Sequence, residues 1–90
     1  MLSDSPLRKR AGLKVWELDG EAVIYDADAG MGHVLNPTAL QIWSLCDGRN
    51  TRHEIASALS TQHPSESLTI DHDVGAAVSQ LNEIGLVEAL

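Results

Sequence analysis

Apolar and polar residues alternate in three short stretches of the first forty residues, and each stretch predicts a β-strand. The first runs from Leu13 to Leu18, and its alternation changes phase at Val15-Trp16, which predicts a bulge. Asp19-Gly20 follows and is typical of a two-residue type I′ hairpin turn. The return strand covers residues 21–25, and a third strand covers residues 33–35, with Met31 as an alternative start. Together they predict an antiparallel meander with two free edges.

After this meander the apolar spacing changes to three and four, which predicts helices. Asn36 is a suitable N-cap because its side-chain oxygen can accept from the free amides of the first turn, and Pro37 fits the first helical position because it lacks an N–H. Leu35 and Leu40 stand where the two residues of a hydrophobic staple stand. We therefore expect the third strand to be fixed against the first helix.

Two more helices follow. Thr51 and Glu54 form a T-x-x-E capping box, which predicts a second helix over residues 52–62. A third helix begins near Thr69 or Asp71 and keeps apolar residues at helical spacing until Gly85 ends it. The predicted fold class is α+β, with a three-stranded antiparallel N-terminal meander followed by three helices.

Ninety residues with 43% hydrophobic content predict one globular domain with one modest core. Residues 1–11 are polar and lack periodicity, so we expect a flexible lead-in there and the domain over residues 12–90. No apolar run is long enough to cross a bilayer and the start lacks a signal-type apolar core, which argues against membrane attachment. A single cysteine excludes an intramolecular disulfide, which suits a cytoplasmic location.

Charge is divided unevenly along the chain. The first 14 residues carry four basic side chains against one acidic, net +3, whereas the remaining 76 carry two basic against twelve acidic, net −10. An acidic body is unfavourable for binding nucleic acid, because such binders neutralise phosphates with Lys and Arg. The basic start predicts either a partner-contacting arm or a solvated terminus.

No catalytic, metal or cofactor site is predicted. The four histidines lie about ten to twenty residues apart without the nearby Cys or His partners of a metal site. Asp26-x-Asp28-x-Gly30 resembles the start of a calcium loop, but Pro37 occupies the position where a bidentate Glu is required. Cys46 has no identifiable base and fits a small core residue. We therefore expect a protein without enzymatic activity or cofactor.

Three segments together resemble the PqqD family, whose members are known as RiPP recognition elements: HVLNPTALQIW, then LCDG, and LNEIGLVE near the end. The resemblance covers roughly residues 12 to 88. It implies a small winged-helix-like domain that binds the leader of a ribosomally made precursor peptide. It also implies delivery of that peptide to a modifying enzyme, such as a radical SAM protein, in pyrroloquinoline quinone synthesis or a related pathway.

The resemblance places peptide binding between the third strand and the last long helix. A free strand edge would accept the peptide by strand addition, with backbone bonds for affinity and side-chain pockets for selectivity. The implied residues are Gly32, His33, Val34, Leu35, Asp73, Ala77, Gln80 and Ile84. Small residues at 75–77 have two interpretations: they permit close packing within the domain, or they admit the backbone of the guest peptide.

Two other functions are compatible with this outline. A winged-helix regulator would bind DNA, but Asp71, Asp73 and Glu83 on the last long helix would face phosphates unfavourably. A structural or assembly protein would instead pair its edge strand with a second copy, as a homodimer. The homodimer is compatible with peptide binding, since a second copy would cover the groove until a peptide arrives.

Overall fold

The structure, a computed structural model, describes residues 5–90. The predicted α+β order is confirmed, with a meander of three strands before three helices. The elements are β1 (Leu7–Lys9), β2 (Leu13–Leu18), β3 (Glu21–Asp26), β4 (Met31–Leu35), α1 (Pro37–Ser44), α2 (Arg52–Gln62), a 3₁₀ turn (Pro64–Glu66), α3 (Ser67–Glu83) and β5 (Val87–Ala89).

The meander is an antiparallel sheet in the order β2-β3-β4. Asp19 and Gly20 both have positive φ, 54° and 81°, as the predicted type I′ turn requires. The predicted bulge at Val15-Trp16 is wrong, because β2 pairs residue for residue with β3 from Leu13 to Leu18. The apolar alternation along β2 changes phase because the outer face of the sheet also carries apolar side chains, namely the exposed Trp16 and Leu18.

The junction between β4 and α1 forms as predicted. The Asn36 side-chain oxygen accepts a hydrogen bond from the Ala39 amide at 2.8 Å, and Pro37 is the first helical residue. Leu35 and Leu40 on either side are both buried in the same core, as the staple requires. The strand and the helix therefore leave this point in one defined relative direction.

The second helix begins with the predicted capping box. The Glu54 amide donates to Thr51 Oγ1 at 3.1 Å, and the Thr51 amide donates to Glu54 Oε1 at 2.9 Å. This helix covers the predicted residues 52–62. The third helix begins slightly earlier than predicted, directly after the 3₁₀ turn, and Gly85 follows its end with a φ of +79°.

A second sheet joins the two ends of the described chain, and its first strand was not predicted. β1 pairs antiparallel with β5 from Leu7↔Ala89 to Lys9↔Val87, within the segment expected to be a flexible lead-in. Leu7 is buried and Arg8 forms an ion pair with Glu88. A strand of three residues is too short to show an alternating apolar pattern, and its partner strand β5 lies about eighty residues away in the chain. No local pattern therefore indicated this pairing. For residues 1–4 the expectation lies outside the described part of the chain.

Helices and strands enclose one apolar core. Trp43 is buried in this core, and its indole Nε1–H donates to the carbonyl of the buried Leu86 at 3.1 Å. The Lys9 Nζ lies 5.0 Å from the Trp43 ring centroid, so the first strand is held on the same ring. Within residues 5–90, no helix combines the length and apolar character needed to cross a bilayer.

Leu81 lies in this core and is 3% exposed, whereas Leu68 on the same helix is 88% exposed. Leu81→Ala should lower the free energy of unfolding by about 2 to 5 kcal/mol, because it removes buried methyl groups and leaves a cavity. Leu68→Ala is the matched control and should change it by less than about 0.5 kcal/mol. Urea unfolding followed by circular dichroism measures both; equal effects would contradict the core assignment.

Candidate functional site

A cleft of about 440 Å³ lies between β4 and α3. β4 forms one wall and is an edge strand, since in residues 5–90 its only strand partner is β3. α3 forms the other wall, and the first turn of α1 closes one end. The lining residues are Gly32, His33, Val34, Leu35, Asn36, Ala39, Ala77, Gln80, Leu81 and Ile84.

The register of the meander determines which backbone groups of β4 face this free edge. In a two-residue hairpin the flanking pair, here Leu18 and Glu21, exchanges both backbone hydrogen bonds, and such pairs then alternate along the sheet. Counting along β3, the residue Ile24 bonds towards β4, where its partner is His33. The N–H and C=O groups of Gly32 and Val34 therefore point away from β3, towards the open edge.

Side chains of β4 divide between the two faces of the sheet. Val34 is 71% exposed on the outer face, whereas Leu35 is 5% exposed against the helices, and His33 is partly buried on that same inner face. A strand added at this edge would place alternate side chains in the cleft and on the outer face. The edge thus offers backbone hydrogen bonds and an apolar pocket at one place.

The structure brings together seven of the eight residues selected from the sequence. They are Gly32, His33, Val34, Leu35, Ala77, Gln80 and Ile84. Asp73 is exposed one turn earlier on α3 and does not line the cleft, so its contact with a peptide stays a prediction. The sequence reasoning missed Asn36, Ala39 and Leu81. The sequence did indicate Asn36 and Ala39, because a helix that is capped directly after β4 must place its first turn beside that strand.

None of the residues that line the cleft is Asp, Glu, Lys or Arg. Leu35, Leu81 and Ile84 supply apolar surface, while Asn36 and Gln80 supply amide groups. An apolar surface with a few polar groups and a free strand edge favours an extended peptide with apolar anchors.

The small residues of α3 lie on two different faces of the helix. Ala77 lines the cleft, whereas Gly75 and Ala76 border a shallow depression beside α2. A Cβ at Gly75 would lie 3.7 Å from Arg52 Nη1, an ordinary contact, so Gly75 faces an α2 side chain. Gly75 therefore borders α2 and Ala77 borders the cleft, and admission of a peptide backbone at Ala77 stays a prediction.

A second groove, of about 680 Å³, lies on the other side of α1 between the β2-β3 turn and α2. It contains none of the residues selected from the sequence. Its walls include Pro37, Gln41 and Leu59, which are helical residues whose backbone groups are engaged within their helices. The β4-α3 cleft is therefore the better candidate for binding a peptide backbone.

Comparison with protein families decides the classification. The family model described as Coenzyme PQQ synthesis protein D (PqqD) matches residues 21–87, about three quarters of the chain. The chain belongs to the PqqD family. The match includes β4, α1 and α3 and therefore the whole cleft. No curated protein matches the sequence significantly.

Solved structures share the PqqD-family fold seen here. The lasso peptide synthetase B1 complexed with the leader peptide has a TM-score of 0.78 at 25% identity, covering 93% of this chain and 99% of that chain. TbiB1 in complex with the TbiA(beta) leader peptide has a TM-score of 0.78 at 20% identity, covering 92% and 96%. The heterocyclase TruD has a TM-score of 0.69 at 19% identity, covering 96% of this chain and 12% of that chain.

Cys46 of this PqqD-family chain is a core residue rather than a reactive thiol. It is fully buried just beyond α1, and its Sγ lies 3.4 Å from the Ile42 carbonyl oxygen, to which the thiol donates. Burial raises the pKa of the thiol to about 11, because the thiolate would lose its hydration, although Lys9 partly opposes this shift. The thiol is therefore protonated at neutral pH.

This pKa has a measurable effect on stability. Between about pH 9 and pH 11 the unfolded chain releases the thiol proton while the folded chain keeps it, so the free energy of unfolding should fall as the pH rises. Relative to Cys46→Ala, the free energy of unfolding of wild type should fall by roughly 2 kcal/mol across this window. Urea unfolding at pH 8 and pH 11 tests this, and parallel curves for the two proteins would contradict it. Cys46→Ala is the control, because it keeps every other group that titrates in this pH range.

Proposed function

We propose that this chain is a non-catalytic peptide-binding module. It binds the leader of a ribosomally made precursor peptide by strand addition at β4 and presents that peptide to a modifying enzyme. The observation that carries this function is the free edge of β4, where the backbone groups of Gly32 and Val34 point outwards beside the cleft of α3.

The related structures support this assignment. The lasso peptide synthetase B1 and TbiB1 are both complexes with leader peptides, and each matches this chain over more than nine tenths of its length. The same fold is also found within the heterocyclase TruD. We therefore propose that the precursor peptide is the ligand and that the partner is the enzyme that modifies it. One such enzyme is a radical SAM protein that acts in pyrroloquinoline quinone synthesis.

Charge and surface chemistry define the peptide. No Asp, Glu, Lys or Arg lines the cleft, but the chain after residue 14 carries a net charge of −10. A leader with apolar residues at alternate positions and basic residues on either side would fill the cleft and be attracted to the surrounding surface. Selectivity then comes from the apolar anchors, because backbone hydrogen bonds are the same for every sequence.

Catalysis is assigned to the partner enzyme rather than to this chain. Cys46 is buried and protonated, and His33 is the one titratable side chain among the residues that line the cleft, where it has no carboxylate, serine or cysteine beside it to complete a catalytic set. Ribosomally made precursors are first available in the cytoplasm, and an unpaired cysteine is stable there, so we propose that location.

The decisive experiment is a calorimetric titration with the small precursor peptides encoded beside this gene. One of them should bind saturably and shift the backbone amide NMR signals of Gly32 and Val34. A titration with duplex DNA at physiological salt is the comparison and should show weak binding, because α3 is acidic. Sub-micromolar, sequence-selective binding to DNA would overturn the proposal, as would peptide binding that leaves these amides unshifted.

Val34→Pro should weaken binding of that peptide by about ten- to a hundredfold, because proline removes an outward-pointing N–H that would bond the added strand. Val34→Ala is the matched control: it keeps the N–H and shortens the side chain, so any loss of affinity that it shows reports the side chain alone and should be several times smaller than that of Val34→Pro. Calorimetry measures both. Equal affinity in the two variants, each folded by circular dichroism, would exclude strand addition at this edge.

Ala77→Leu should lower the affinity for the same peptide by about tenfold, because the larger side chain occupies part of the cleft. Ala76→Leu places the same leucine on the other side of α3 and should leave binding unchanged. Fluorescence anisotropy with a labelled peptide measures the difference. A larger effect at residue 76 would mean that the peptide binds a different face of the helix.

A further inference from the structure

Gly32 lies within β4, where a glycine weakens the strand because it has no side chain to pack and loses the most backbone freedom on folding. Its own backbone does not require a glycine, since its φ is not positive and β4 pairs residue for residue with β3, without a bulge. A Cβ at Gly32 would lie 3.9 Å from Val23 Cγ1, which is an ordinary contact. The fold would therefore accept a side chain at this position. A glycine in a strand that has neither a bulge nor a steric need often marks a place where a ligand approaches closely.

The missing side chain leaves a notch on the outer face of the sheet. Tyr25 is the cross-strand partner of Gly32, and Val34 is the next residue of β4 on the same face. Val23, the cross-strand partner of Val34, closes the remaining side. All three side chains are exposed, Val34 to 71%. We call Gly32 and these three neighbours the outer notch.

A strand added at β4 must place a side chain in the outer notch. The N–H and C=O groups of Gly32 point towards the open edge, so one residue of the added strand lies directly beside Gly32. Residues that lie side by side on neighbouring strands project to the same face of the sheet, in parallel and in antiparallel pairs alike. That residue therefore faces the outer notch, while the residues before and after it face the cleft.

The chemistry of the outer notch favours an aromatic side chain. A ring can lie across a glycine of the neighbouring strand because no Cβ holds it away, and such a pair compensates for the weak glycine at a sheet edge. Beyond Gly32 the ring would meet the ring of Tyr25, and two aromatic rings attract each other beyond their burial of area. It would also contact the methyl groups of Val34. A side chain as short as Ala would not reach across Gly32.

We infer that the outer notch is a second specificity subsite for the leader and takes one aromatic side chain directly beside Gly32. This inference rests on the proposed strand addition at β4 and deepens it. The leader is then recognised on both faces of the sheet, with apolar anchors in the cleft and an aromatic residue at the adjacent position on the outer face. A leader with apolar residues only at alternate positions would fill the cleft and leave the outer notch empty.

A double-mutant cycle between protein and peptide tests this subsite. The probes are short synthetic peptides that cover the precursors encoded beside this gene, titrated calorimetrically. The segment that binds should contain an aromatic residue whose replacement by Ala lowers the affinity for wild type by about three- to tenfold. Gly32→Val fills the outer notch but keeps the backbone N–H, so it should weaken the unaltered peptide by a similar factor. It should not weaken the Ala peptide, because the ring and the valine compete for the same space. Losses that add independently would contradict the subsite.

A second pair of variants separates this effect from a change in folding. Gly32→Ala adds only the Cβ, so it should fold as wild type does and weaken the unaltered peptide by a smaller factor than Gly32→Val. Gly75→Ala is the matched control, because its Cβ would also make an ordinary contact, 3.7 Å from Arg52 Nη1, on a face of α3 away from the cleft. Its affinity should equal that of wild type. Urea unfolding should show that neither alanine variant is less stable than wild type, and an equal loss of affinity in the two would overturn the inference.

NMR of the complex reports the position of the ring. Tyr25 is the one tyrosine of the chain, and its ring signals should shift on binding, together with the methyl signals of Val23 and Val34. A Leu variant of the peptide should shift them much less. If no peptide binds, the proposed function and this inference both fail. If a peptide binds and shifts the Val34 amide, but Gly32→Val binds it as wild type does, only this inference fails. A bound segment without an aromatic residue would overturn the inference in the same way.

Discussion

The junction at Asn36 and Pro37 is the constraint on which the cleft depends. Asn36 accepts the Ala39 amide, Pro37 begins α1, and Leu35 with Leu40 anchors both sides of the junction in the core. Without these contacts β4 and α1 would be free to pivot. With them, the inner face of β4 stays opposite α3 at a spacing that leaves a groove rather than a packed interface. The cleft is therefore a product of local capping and long-range packing together.

The meander has two edges with different chemistry. β4 carries no Asp, Glu, Lys or Arg and lies beside a helix, so an added strand would gain both hydrogen bonds and a pocket. β2 carries Lys14 and Glu17 on opposite faces of the sheet and does not line the cleft beside α3. An unpaired row of backbone groups is present at both edges, but within residues 5–90 only β4 combines it with a pocket beside α3.

Local sequence was sufficient wherever the stabilising partners lie within a few residues. The type I′ turn, the Asn36 cap, and the Thr51-Glu54 box depend on contacts at most three residues apart, and all formed as predicted. The bulge in β2 was wrong because apolar residues were assumed to be buried, whereas this sheet exposes Trp16 on its outer face. Periodicity reports the chemistry of a face but not whether anything covers it.

The sequence by itself determined the order of strands and helices, the acidic charge of the body and most residues of the cleft, because these follow from turns, caps and the family pattern. Only the tertiary structure decided three points: that β1 pairs with β5, that Asp73 lies outside the cleft, and that Gly75 faces Arg52. Each depends on the distance and rotation between elements far apart in the chain. Those quantities are set by how the whole core packs, and no local pattern encodes them.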